Sequence, residues 1–99
     1  MKSQIILNQT PNQRLSVNIG QTALDIALRT SKSGRLYADL DVGGTGVFRG
    51  RACINKMPLM LNNTLGGNLY FEDLFGNEDP VYTGFNDRFA LYFDDEYEI

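Results

Sequence analysis

The side chains able to do chemistry in this sequence are few, and their spacing decides what each is for. There is no histidine and only one cysteine, Cys53. Without an imidazole to act as base, the Ser–His and Cys–His nucleophile arrangements lack their central member. A lone thiol cannot close an internal disulfide or complete a zinc or iron site, so Cys53 is expected to be a small buried apolar residue. Three groupings still invite a chemical reading. The run "GGTGVFRGR" offers backbone amides to an anion, but a phosphate loop needs Gly-Lys-Ser/Thr opening a helix, and here the glycines open a strand. "DLDVGG" spaces Asp39 and Asp41 as calcium ligands would be spaced, yet Gly43 stands where a third ligand belongs and Gly50 where a glutamate belongs. "FDDEYEI" gathers Asp94, Asp95, Glu96 and Glu98. Such a strip needs a scaffold that raises one pKa or fixes a cation before it can catalyse, and otherwise it is solvated or meets a partner. A two-carboxylate glycosidase fits the residue types, but 99 residues leave little room for a sugar cleft. No catalytic, cofactor or metal residue is therefore predicted, and the protein is expected not to be an enzyme.

What remains is suited to contact with other proteins. Arg49 and Arg51, two apart in one predicted strand, would present forked donors on one face to carboxylates of another chain. Tyr82 and Tyr92 are amphipathic rings of the kind protein interfaces favour. With Asp94, Asp95 and Glu96 they make up the candidate partner interface. The net charge of −3 and pI near 4.7 argue against general nucleic-acid binding, whose affinity comes from neutralised phosphates. Its distribution is uneven. Residues 1–56 hold eight basic groups against three acidic ones, or +5, while residues 57–99 hold Arg88 against nine carboxylates, or −8. Opposite charge on the two halves suits a part that docks on unlike neighbours.

The elements that would position these residues are strands. "RLSVNIG" puts Leu15, Val17 and Ile19 on one face, "TALDIALRT" does the same with Leu24, Ile26 and Leu28, and "RLYADLDV" with Leu36, Ala38, Leu40 and Val42. A plain four-residue loop at Ser31–Gly34 would set inward Leu28 against outward Tyr37, which a pleated sheet cannot satisfy. The loop Lys32-Ser33-Gly34, with Gly34 left-handed, instead sets Leu28 against Ala38 and Ile26 against Leu40. Gly43, Gly44 and Gly46 turn the chain into a further strand, whose inward set is predicted to be Phe48, Ala52 and Ile54, with Arg49, Arg51 and Cys53 outward. Residues 57–61 are expected to form a short edge strand at most, because of Pro58. "NLYFEDLFG" and "DRFALYFDD" add strands with Leu69 and Phe71, then Phe89, Leu91 and Phe93, facing inward. No window holds apolar residues at helical spacing, so the fold class is all-β: one domain over 1–99, a small antiparallel barrel or sandwich of six to seven short strands. The longest apolar run, Phe89–Phe93, is far too short to span a membrane. The opening residues carry no secretory-signal pattern, which predicts cytoplasmic synthesis and no use for the Asn-x-Thr matches at Asn8 and Asn62.

Taken in order, "GRLYADL", "VFRGRACIN", "GGNLYFED" and "DPVYTGFNDRFALYF" resemble the small baseplate plug family of contractile-tailed phages and related prophages. The matching positions are Tyr37, Asp39 and Leu40, then Asp79, Pro80, Tyr82 and Gly84, then Arg88; the opening "KSQIILNQTPNQRLSVNI" is similar too. The resemblance implies a structural part of the virion tail baseplate, near the tail tube or central hub. Its partners would be tube, hub or spike proteins, it would be present in several copies in a symmetric assembly, and it would be made in the host bacterial cytoplasm. It supplies no site residue. The rival reading is a stand-alone OB-like barrel that holds a glycan or other small ligand on an aromatic face.

Overall fold

The structure is a computed structural model that describes residues 2–60 and 67–96. Period-two alternation becomes seven strands: β1 (Lys2–Ile5), β2 (Asn12–Ile19), β3 (Thr22–Thr30), β4 (Leu36–Val42), β5 (Thr45–Ala52), β6 (Asn68–Asp73) and β7 (Phe89–Asp94). They form two antiparallel sheets, one in the order β2-β3-β4-β5 and the other β1-β7-β6. The sheets share no strand pairing, and their inner faces meet in a single apolar cluster. This is a sandwich, not a closed barrel. Among the described residues there is no α-helix, only a 3-10 turn at Tyr82–Gly84.

The cluster takes Leu24, Ile26 and Leu28 from β3, Leu36, Ala38 and Leu40 from β4, Leu69 and Phe71 from β6, and Phe89, Leu91 and Phe93 from β7, all buried as their alternation predicts. Leu15, Val17 and Ile19 of β2 face the same way but are only half-buried, because β2 is an edge strand. The hairpin register follows the prediction. Leu28 pairs with Ala38 and Ile26 with Leu40, and Gly34 has φ +88°.

The prediction fails on β5, and one residue explains it. Leu40 pairs with Phe48 but Ala38 pairs with Arg51, so one extra β5 residue is accommodated between them at a bulge. Gly50 sits there with φ +64°, and its N–H is bound by Asp39 Oδ1 at 2.6 Å. A bulge reverses the phase of every side chain beyond it. Cys53, predicted outward, is therefore 1% exposed and hydrogen-bonds its backbone N–H to Leu36 O, while Ile54, predicted inward, is exposed.

Beyond β5 the chain crosses from one sheet to the other. No strand forms over residues 57–60, but the segment still lines the edge of β6: Lys56 N–H donates to Phe71 O at 2.7 Å and Leu59 N–H to Leu69 O at 2.8 Å. Asn68, fully buried, accepts from the N–H groups of Met60 and Leu69 and donates to Met60 O. Leu61 and the Asn62–Thr64 match lie outside the described residues. On the far side, Asn86, with φ +72°, stands in for a strand, since its amide both accepts from Leu7 N–H at 3.0 Å and donates to Leu7 O at 2.6 Å.

Candidate functional site

The seven predicted interface residues do not come together. Arg49 lies on the outer face of the four-stranded sheet, where its guanidinium is 2.6 Å from Asp41 Oδ1 and donates to the carbonyls of Phe48 and Leu40. Arg51 falls beyond the Gly50 bulge, opposite inward-facing Ala38. It stacks 5.3 Å from the Phe48 ring centroid and donates to Leu59 O at 2.9 Å. The expectation of one face carrying both arginines is corrected, because the bulge between them turns Arg51 toward the connector. Tyr82 lies in the 3-10 turn, half-buried against the core. Tyr92 is on the outer face of the three-stranded sheet, 5.8 Å from the Tyr70 ring and 4.3 Å from Lys2 Nζ. Asp94 shares that face, opposite Lys2 across β1 and β7, and accepts from Glu96 N–H. Asp95 and Glu96 follow it and are exposed. Glu98 lies outside the described residues.

The charge asymmetry of the sequence halves is also largely folded inward. Arg29 is 2.9 Å from Asp39 and Arg49 pairs with Asp41, all within the basic half, while Lys2 reaches across to Glu72 at 3.4 Å. The outer face of the four-stranded sheet thus mixes both signs. Asp25 accepts from Ser16 there and lies directly opposite Asp41. The Gly50 N–H bond and the Arg29 guanidinium hold the Asp39 carboxyl below its usual range. Among the described residues no group of three or more histidine, cysteine or acidic side chains is placed to hold a metal ion.

A different constellation, unread in the sequence, is the most organised polar site of the molecule. Asp73 ends β6 with its side chain fully covered. Arg88 binds it through two parallel bonds, Nε to Oδ1 at 3.0 Å and Nη2 to Oδ2 at 2.9 Å. The N–H of Phe75 donates to Oδ1 and the N–H of Glu78 to Oδ2, each at 3.0 Å, so both carboxylate oxygens are doubly satisfied. Arg88 also lies 3.1 Å from Glu78, and its own carbonyl accepts from Leu74 N–H at 2.7 Å. With Arg88 first and the two N–H groups after it, the Asp73 carboxyl is held well below the usual carboxylate range. The effect is to lock the loop after β6 to the residue that begins the last strand. Sequence offered a faint signal for it: an aspartate two residues before Phe75 and an arginine alone among carboxylates.

The fold is thus an antiparallel β-sandwich whose conspicuous polar site shapes a loop. The family model described as cyanophage baseplate Pam3 plug gp18 matches residues 3–96, and the chain belongs to that baseplate plug family. Among curated proteins none matches it.

Proposed function

We propose that the protein is a structural, non-enzymatic component of a phage tail baseplate. As one domain over residues 1–99 it packs near the tail tube or central hub, in several copies of a symmetric assembly. It is made in the host cytoplasm and works in the virion tail. The observation that carries this reading is the family match over residues 3–96, which takes in all but the first residue of the strands of both sheets. Its partners are other baseplate and tail proteins, met through protein surface with no bound cofactor. Arg49, Arg51, Tyr82, Tyr92, Asp94, Asp95 and Glu96 are spread over several faces, which suits a part enclosed by neighbours better than one with a single pocket. The test is composition and position. Tails purified from infected cells should contain the chain, and a bulky tag fused to it should add density at the baseplate centre in particle images. Tails that lack the chain would overturn the proposal, and density at the far end of the tail would overturn its placement.

The rival ligand-binding reading has one observation in its favour, the Tyr70–Tyr92 pair beside Lys2. Tyr70 is only 8% exposed, which leaves Tyr92 alone to stack on a sugar. The structure gives that reading a poor platform.

A further inference from the structure

Seven large apolar side chains are exposed among the described residues, and five of them, Ile54, Met57, Leu74, Phe75 and Val81, belong to segments tied together at one end of the sandwich. Asn55 makes the tie. Its side-chain oxygen accepts from Asp73 N–H at 2.8 Å, and its own N–H donates to Asp79 Oδ1 at 3.0 Å. Ile54 and Met57 flank Asn55, Leu74 and Phe75 follow Asp73, and Val81 follows Asp79. Scattered exposed apolar residues need no explanation, but a gathered set does. Phe75 is the extreme case at 78% exposed.

The loop that carries Phe75 is held at its base. The Asp73 carboxylate fixes the Phe75 N–H, the Glu78 N–H and Arg88, and the Arg88 carbonyl fixes Leu74 N–H. This network contributes nothing to burying Phe75, so the fold orders a large apolar ring and leaves it in water. An ordered aromatic anchor has already lost the backbone freedom that binding would otherwise remove, and such anchors dominate interface energetics. We infer that Phe75 and Leu74 are the anchor by which this protein docks into an apolar pocket, bordered by lysine or arginine, on a different protein of the baseplate.

The charge of the surroundings selects that occupant. Glu78, whose side chain is 72% exposed, and Asp79 border the Phe75 loop, while Arg88 is neutralised by Asp73 and Glu78. Lys56, on the Met57 side, is the one further exposed cation in these segments. Two copies meeting patch to patch would bring the two acidic borders together, and like charges across an interface disfavour that pairing. A basic border on a different protein complements it.

The inference rests on the baseplate reading for the assembly in which the partner is found. The experiment is photo-crosslinking in assembled tails, with benzoylphenylalanine at position 75 and, as a control, at Val47, an exposed apolar residue of β5. Position 75 should crosslink to one protein other than this chain, at a peptide bearing lysine or arginine. Phe75→Ala should fold normally, yet enter tails at least tenfold less well than wild type. Glu78→Lys should also reduce entry. Crosslinks from position 75 to a second copy alone, silence at 75 while 47 reacts, or wild-type entry of Phe75→Ala would each overturn the docking inference. If the chain is missing from tails altogether, the baseplate reading falls and this inference falls with it; silence at 75 in tails that contain the chain removes this inference alone.

Discussion

Phe85 and Phe75 are the same residue type ten positions apart, and the structure assigns them opposite energetics. Phe85 is 0% exposed and stacks on Phe71 with ring centroids 5.8 Å apart, while Phe75 is 78% exposed. Burying a phenylalanine removes about 150–250 Å² from water. At about 25 cal/mol per Å² that is worth about 4–6 kcal/mol, of which an alanine retains a part. Phe85→Ala should therefore cost about 3–5 kcal/mol, the usual range for emptying an aromatic core position. A domain of this size is stable by about 5–15 kcal/mol in total, so the loss is a large share of the whole. At about 4–8 °C per kcal/mol the midpoint of thermal unfolding should fall by at least about 12 °C. Phe75→Ala should stay within about 0.5 kcal/mol of wild type. The assay is urea and thermal unfolding of both variants, followed by circular dichroism. Equal losses in the two, or a larger loss at Phe75, would refute the assignment of core and surface around the Phe71–Phe85 stack.

Two glycines should resist substitution for different reasons. A Cβ at Gly34 would meet nothing within 4 Å, so Gly34→Val should cost about 1–3 kcal/mol through its φ of +88° alone, and an unchanged melting midpoint would contradict this. A Cβ at Gly67 would lie 2.7 Å from Asp95 Cα and closer still to Asp94 O, both backbone atoms, so Gly67→Ala should cost about 1–3 kcal/mol by forcing the chain apart; chemical denaturation reads it directly. The depressed Asp73 carboxyl binds fewer protons folded than unfolded, so its stabilisation is present above the unfolded pKa of about 4 and is lost as pH falls below it. Urea midpoints from pH 7 down to pH 2 should therefore decline more steeply for wild type than for Asp73→Asn, and parallel curves would remove the clamp's role in acid stability. Burial pushes the Cys53 thiol up to about 12, so a thiol reagent at pH 8 should label it only after unfolding, and rapid labelling of native protein would show the β5 bulge to be wrong.

Much of the fold was legible because alternation is a local signal. β2, β3, β4, β6 and β7 all show it, and the hairpin at Gly34 could be put in register from the demand that inward residues meet inward residues. β5 was misread beyond Gly50 for the same reason, since a bulge inserts one residue without changing composition, and period two then assigns Cys53 and Ile54 to the wrong sides. β1 went unseen. It is four residues long with three of them exposed, and it acquires its strand character from β7, almost ninety residues away. The Asp73–Arg88 clamp was invisible on similar grounds, because its members are fifteen residues apart and only the fold makes them neighbours. The expected pairing of Arg49 with Arg51 assumed an unbroken strand, and the bulge that hides Cys53 also separates them.

The pairing of β1 with β7 sets Lys2 across from Asp94, so the early and late parts of the chain leave the sandwich side by side. This arrangement decides how the domain bears mechanical load. Tension applied between residues 2 and 94 would pull on the last rung of an antiparallel ladder and open it one pair at a time, as a zipper opens, with little resistance to each step. Load entering through the Phe75 loop takes another route. It passes by way of Asp73 and Arg88 into β6 and β7 together, and spreads across strands whose inner residues Phe71, Phe89 and Leu91 are interlocked with the opposite sheet. The molecule is therefore strong when held by that loop and weak when held by the residues at the β1–β7 opening, a mechanical polarity built into a chain of 99 residues.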